Sequence, residues 1–399
     1  MNAAAWRLTL SAAALMGLVI GGRTASGLFL SPLNTASGMG LSALSFVLAV
    51  GQLGVGLAQP VVGALADRYG ASRVIVAGAL LLALTTAVPA IWPMPVALSL
   101  ALVVSTVAGS AVGSNGLLLG EVGRAVTVAR AGVAVGVVSA GGSAGQLVLG
   151  PAAQWVIDNR GWPIALLAIA GLSLAALPLA LAFRRRAAVK VAQPSPAAVA
   201  SQPIGYALRQ WRFWRLAASF GACGFHIGFL GAHMPGVIER CGLPPSLAGS
   251  WIALAGAANI AGSIAIAVAL KRHDAGRLLS GIYAVRAFGI AALLALPVTP
   301  VLMLGFGLLM GATHMATLPP TTQLVASQHG VQRLGTLIGF VMLVHQVGSF
   351  AGVWLGGWAA QVTGSDRLLW CVDIALALGA AALVWSLHAA ARRPAAAAA

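Results

Sequence analysis

Gly63-Ala64-Leu65-Ala66-Asp67-Arg68-Tyr69-Gly70-Ala71-Ser72-Arg73 is a charged turn set between two long apolar runs. It gathers Asp67, Arg68 and Arg73 in a chain of 399 residues that is 59% apolar and only 8% charged. No water-facing surface of ordinary polarity can be assembled from that composition, so the chain reads as an integral membrane protein. A spanning helix needs roughly 20 mostly apolar residues, and such runs recur on both sides of the turn. Twelve are predicted, over 8–31, 42–66, 74–92, 95–119, 130–157 and 162–183, then 213–237, 247–270, 277–297, 299–326, 332–360 and 368–387. The fold class is all-α integral membrane, with twelve transmembrane helices.

The formal charge of +16 reports topology rather than a nucleic-acid partner. With the N-terminus inside, eighteen of the 23 Lys/Arg fall in cytoplasmic segments or at cytoplasmic helix ends, whereas Arg160, Arg240 and Arg367 fall outside. That is the positive-inside pattern, and it predicts a multi-pass protein of the plasma (inner) membrane with both termini cytoplasmic. The first apolar run is too long for the core of a signal peptide and no cleavage site follows it, so it is read as a retained first helix. Cys223, Cys241 and Cys371 lack metal-ligand spacing, and neither a metal nor a cofactor is expected. Cys241 and Cys371 both fall near the outer face, where a disulfide between them is one option.

Between the sixth and seventh helices the sequence lapses into RRRAAVKVAQPSPAAVASQPIGYALRQWR, a solvated linker by composition. Residues 1–183 form an N-terminal six-helix bundle, 184–212 the cytoplasmic linker, and 213–399 a C-terminal six-helix bundle with a short tail. The halves echo each other at an offset of about 203 residues: Arg130, Gly132, Gly136, Gly145 and Trp155 answer Arg333, Gly335, Gly339, Gly348 and Trp358. Parallel repeats of this kind build two-bundle transporters, with a site between the bundles near the midplane.

The opening turn, Gly, three residues, Asp67-Arg68, one residue, Gly70 and then Arg73, resembles the loop signature of the major facilitator superfamily. By that resemblance Gly63, Asp67, Arg68, Gly70 and Arg73 form a gating loop: Gly63 allows close helix approach, Gly70 a tight turn, and the arginines an anchorage on anionic headgroups. Further on, Gly136, Ala140, Gly141, Gly145, Pro151, Gln154, Gly161 and Trp162 resemble the fifth-helix pattern of the monocarboxylate transporters and their oxalate/formate relatives. The superfamily implies two pseudo-symmetric six-helix bundles, with helices 1, 2, 4, 5, 7, 8, 10 and 11 lining a central cavity and helices 3, 6, 9 and 12 behind. It also implies a small-molecule substrate, and a single chain is expected to suffice. Where the monocarboxylate branch carries an acidic and basic pair in the eighth helix, this chain has Asn259 and Ser263.

That assignment sorts the charges within the membrane. Arg286 and Asp373 lie on helices 9 and 12, two supporting helices of one bundle. An unpaired ion costs roughly 2.5–3.5 kcal/mol at a helix centre, so Arg286 and Asp373 are predicted to form a structural ion pair. Arg23 instead sits on cavity-lining helix 1 among Gly21, Gly22, Thr24, Ala25 and Ser26, and no Asp or Glu falls in any predicted cavity helix. A lone guanidinium favours a small anion, because it grips a carboxylate through two parallel hydrogen bonds. The predicted substrate contacts are Arg23, Asn115, Gln146, Asn259, His314, Gln323, His345 and Gln346. His226, His233 and His345 are the candidates for proton coupling, since imidazole loads and releases a proton near neutral pH. Pro319 and Pro320 break the tenth helix, as happens where backbone lines a cavity.

The function predicted is secondary transport of a small organic anion, in the first place a monocarboxylate, by alternating access. No GxxxxGK[ST] loop offers ATP as a drive. The rival readings are efflux of a neutral or amphiphilic compound, with Arg23 structural, and an intramembrane hydrolase built on Ser139 or Ser143 with a histidine. No oxyanion arrangement is legible for the latter, and the chain is read as a transporter and not an enzyme.

Overall fold

A computed structural model of the chain describes residues 3–184, 204–330 and 334–396. The first half contributes α1 (Ala3–Ser37), α2 (Leu41–Tyr69), α3 (Ala71–Ile91), α4 (Pro95–Ala125), α5 (Val128–Arg160) and α6 (Trp162–Phe183). The second contributes α7 (Trp211–Arg240), α8 (Ser246–Ala269), α9 (Ala275–Ala295), α10 (Pro300–His329), α11 (Leu334–Thr363) and α12 (Arg367–Ala396). Residues 185–203 of the predicted linker lie outside the described residues, and a short helix, Ile204–Arg209, leads into α7. There is no strand among the described residues.

Eleven of these helices are long and apolar enough to cross a membrane. The twelfth is α7, whose apolar run is interrupted by His226 and His233 and closed by Glu239 and Arg240. Its 30 residues still extend about 45 Å at 1.5 Å per residue. It packs on α11 as α1 packs on α5, so it holds in the second bundle the place of α1 in the first. The equivalence continues through α2·α4 and α8·α10, and through α3·α6 and α9·α12.

Glycines set the closest of these contacts. A Cβ at Gly141 or Gly145 would collide with the carbonyls of Ala13 and Gly17 on α1, and one at Gly348 or Gly352 with those of Gly221 and Phe225 on α7. Without a hydrophobic drive inside lipid, helix association depends on this backbone-to-backbone approach. The turn between α2 and α3 is made by Gly70 at φ +91°, a conformation costly for any residue with a Cβ.

Two of the spans are internally broken. In α1 a 3₁₀ turn, Ser26–Phe29, follows Arg23. In α10 the α-helix stops at His314, a 3₁₀ turn covers Met315–Thr317, and a new helix begins at Leu318. Pro319 and Pro320 occupy the first turn of that second segment, where a missing N–H costs nothing. They start a helix, and the break precedes them.

The two bundles meet through α2·α11 and α5·α8. On the side away from the N-terminus the contacts are tight. Ser42 N–H donates to Gln361 Oε1 at 2.7 Å, Gly357 lies against Ser45, and Phe46 packs edge-on against Phe350 and Trp354 at centroid distances of 5.9 and 5.4 Å. The 3₁₀ turn of α1 adds Gly27, set against the Gly231 and Ala232 carbonyls of α7. On the side of the N-terminus the interface is loose among the described residues: no atom of another element lies within 4 Å of where a Cβ would stand on Gly132, Gly136, Gly335 or Gly339. Among the described residues, the space between the bundles is therefore sealed at the far face and opens on the side of the N-terminus.

Candidate functional site

That space is a cavity of about 370 Å³, of the size that takes a small molecule. Its lining contains no Asp, Glu or Lys, and Arg23 is its one fixed charge among the described residues. Arg23 lines the cavity just ahead of the turn from α to 3₁₀ helix, and Gly22 beside it leaves an open flank, with Ile169 at 3.8 Å from a would-be Cβ. The Arg23 carbonyl accepts from Ser26 Oγ at 2.7 Å. Beside it Thr24 donates to the Ile20 carbonyl at 2.8 Å and accepts from Gln146 Nε2 on α5 at 3.0 Å. No carboxylate stands within ion-pair distance of Arg23 among the described residues, and the side chain is exposed to the cavity.

The opposite wall belongs to the second bundle. His345 stacks at a tilt on Phe220, with centroids 5.0 Å apart, and its Nδ1 lies 3.1 Å from Gln346 Oε1. Gln346 Nε2 donates across the interface to the Gln52 carbonyl at 2.8 Å. His314 stands at the break in α10, and Cys223 and Thr317 face the same cavity.

The break itself is held from behind. Arg286, 1% exposed, donates from Nη2 to the Thr313 carbonyl at 2.5 Å and to the His314 carbonyl at 3.3 Å, from Nε to Thr313 Oγ1 at 3.1 Å, and from Nη1 to Cys223 Sγ at 3.1 Å. On the other flank Asn259 Oδ1 accepts the Met315 N–H at 3.1 Å. Carbonyls and amides that lose their helical partner inside a membrane must find another, and these two side chains provide it.

Several expectations are corrected here. Arg286 and Asp373 do not pair: Asp373 Oδ2 lies 2.6 Å from His226 Nδ1, both side chains buried, while Arg286 spends its donors on the broken helix. His226 and His233 do not line the cavity. His226 is held between Asp373 and Met310 Sδ, the latter at 3.1 Å, and His233 is held by the Val353 carbonyl at 2.7 Å. Asn259 is buried beside the cavity and outside its lining, and Gln323 is exposed elsewhere on α10. The side chain of Asn115 lies outside the described residues. Arg23, Gln146, His314, His345 and Gln346 are brought together around one space.

Two further differences concern the surroundings. Helices α3 and α6 reach the cavity through Thr85, Thr86, Ile169 and Ser173, whereas α9 and α12 contribute nothing to it. The adjacent threonines in the Leu- and Ala-rich α3 were a legible signal for this. In the opening turn Asp67, Arg68 and Arg73 are exposed on the side of the N-terminus, and among the described residues nothing lies within 4 Å of where a Cβ would stand on Gly63. The three cysteines are free, Cys223 buried and Cys241 and Cys371 exposed.

A family model described as Major Facilitator Superfamily matches residues 12–353. The chain belongs to that superfamily. No curated relative matches its sequence. Among solved structures, this superfamily member resembles a D-xylose-proton symporter (16% identity, TM-score 0.73, covering 96% of this chain and 97% of that one). It also resembles a point mutant of the nucleoside transporter NupG (13%, TM-score 0.74, 96% and 99%). A third match is the xylose transporter XylE from E. coli in an inward open conformation (14%, TM-score 0.75, 96% of each chain). At these identities the likeness concerns the fold. The chain is a multi-pass membrane transporter of small molecules rather than an enzyme.

Proposed function

We propose that this transporter carries a small organic anion, with monocarboxylates the first class to test, by alternating access of its two bundles. The observation that carries the reading is Arg23, a permanent cation on a cavity wall that offers it no carboxylate. A carboxylate substrate supplies that missing partner through two charge-assisted hydrogen bonds. Thr24 and Gln146 flank it on the first bundle, and His314, His345 and Gln346 face it from the second, so a bound anion is touched by both moving bodies. The distribution of Lys and Arg supports cytoplasmic termini, and the plasma membrane is the location proposed. In that orientation the cavity faces the cytoplasm.

Of the three histidines considered for proton coupling, His345 alone lines the cavity, and coupling is assigned to it. The test is uptake of a panel of labelled organic acids into proteoliposomes, with and without a pH gradient. For Arg23→Ala, carboxylate uptake should fall about 10- to 100-fold, the range for losing a hydrogen-bonded charge partner, and Arg23→Lys should recover part of it. Carboxylate uptake unchanged in Arg23→Ala would overturn the anion site and favour a neutral or amphiphilic cargo. A gradient response preserved in His345→Ala would remove that residue from coupling.

A further inference from the structure

Three observations converge on one buried amide. Asn259, 3% exposed, is on α8, a helix wedged between α10 of its own bundle and α5 of the other. Its Nδ2 donates across the bundle interface to Ser143 Oγ at 2.9 Å, while its Oδ1 accepts the Met315 N–H at 3.1 Å, inside the break of α10. The backbones around it are in contact: a Cβ at Gly262 would collide with the Ala312 carbonyl and one at Gly311 with the Ala255 carbonyl, which makes α8 and α10 a single unit on either side of Asn259. On α5, Ser143 stands three residues before Gln146, on the same face, and Gln146 is bonded to Thr24 beside Arg23. A Cβ at Gly256 of α8 would stand about equally close to both, 3.0 Å from the Ser143 carbonyl and 2.9 Å from Gln146 Cβ.

We propose that the Ser143–Asn259 hydrogen bond is a conformational latch that ties the Arg23 wall of the first bundle to the broken helix of the second, and that it holds the far face closed. The inference rests on the alternating-access reading above. Two bundles that rock about a shared site must separate along α5·α8 on one side of the membrane as they close on the other. A hydrogen bond at the middle of that seam, made by an amide whose other end carries the Met315 N–H, transmits such a separation directly to the turn that presents His314. Asn259 is thus a positioning residue. It touches neither the cavity nor its contents, and its effect appears in which face is open.

The test uses the full-length protein in detergent micelles and requires no substrate. Cys241 and Cys371, both exposed, are replaced by serine, and Ser45→Cys is introduced as a reporter of the far seal. Ser45 is fully buried against Gly357 of the opposite bundle, so a bulky maleimide reaches it only when that seal parts. A control reporter, Ala79→Cys, lies fully buried within the first bundle. Labelling of Cys223 in the parent without either reporter is subtracted. Ser143→Ala should raise the Ser45→Cys rate about fivefold, as expected for loss of one ordinary hydrogen bond, while leaving the Ala79→Cys rate unchanged. Ser143→Thr, which keeps the hydroxyl, should restore the parental rate. Asn259→Ala should raise it at least as much. An unchanged Ser45→Cys rate in Ser143→Ala, or an equal rise at Ala79→Cys, overturns the latch. Because no anion enters the assay, these outcomes are independent of the Arg23 uptake test, which can fail while the latch stands, and the reverse.

Discussion

Two arginines within the membrane have opposite fates. Arg23 faces the cavity without a carboxylate, and Arg286 is enclosed by carbonyls, a hydroxyl and a thiol. Arg286→Leu should lower the thermal unfolding midpoint, since it strands the Thr313 carbonyl in the broken α10 at a cost of about 1–3 kcal/mol, while the His314 carbonyl keeps the Thr317 hydroxyl as its donor. Arg286→Lys should recover part of the loss. Exchanging the two charges, Arg286→Asp with Asp373→Arg, should fail to restore folding, because the residues hold different partners; fluorescence-detected size exclusion with a thermal ramp reads both results. The sequence makes the cost of each buried charge legible, and it makes Asp373 the one acidic residue within a predicted membrane helix. It does not reveal that the helix breaks at His314, ahead of the prolines, and so it conceals the carbonyls that outcompete Asp373. On the far surface, Cys241 has its thiol pKa raised, first by partial burial and then by Asp366, against a smaller opposing pull from Arg240. Its alkylation should therefore need a higher pH than a free cysteine. Asp366→Asn removes one of the raising influences and leaves Arg240, so the profile should move back down, as a maleimide rate-against-pH series would show.

At the scale of the element, the glycine spacing of α5 and its echo in α11 are legible as a repeat, whereas the role of each glycine is not. Gly136 and Gly145 belong to the same motif, yet only Gly145 meets a neighbouring backbone in this arrangement. Gly145→Val and Gly348→Val should each disrupt the α1·α5 or α7·α11 contact enough to cut the yield of folded protein, with losses of at least about 1–3 kcal/mol as for other overpacked cores. Gly136→Ala should fold as well as the parent or better, by up to about 1 kcal/mol from helix propensity. Any transport defect in Gly136→Ala without loss of stability would report a contact made when the linker side closes. Helix α7 shows the limit of hydropathy. Its histidines take it below the apolarity of its neighbours, yet its apolar run over 213–237 is still readable as a span, and its packing on α11, as α1 packs on α5, gives it that place.

At the scale of the molecule, the twelve-helix plan and the two halves were legible because bilayer thickness and charge asymmetry act on long stretches of sequence. Which face stands open was not, since it depends on contacts between residues as far apart as Ser42 and Gln361. The far seal is built from glycine contacts, aromatic edges and neutral hydrogen bonds. All three ion pairs found among the described residues, Arg124–Glu121, His226–Asp373 and Arg240–Asp366, lie within one bundle or the other. Parting that seal therefore wets mainly oily surface and breaks no interbundle charge pair. Such a gate has a thermal signature. The closed far face should gain population on warming near room temperature, with a positive heat-capacity change on opening, and raising the salt concentration should leave the balance almost unmoved.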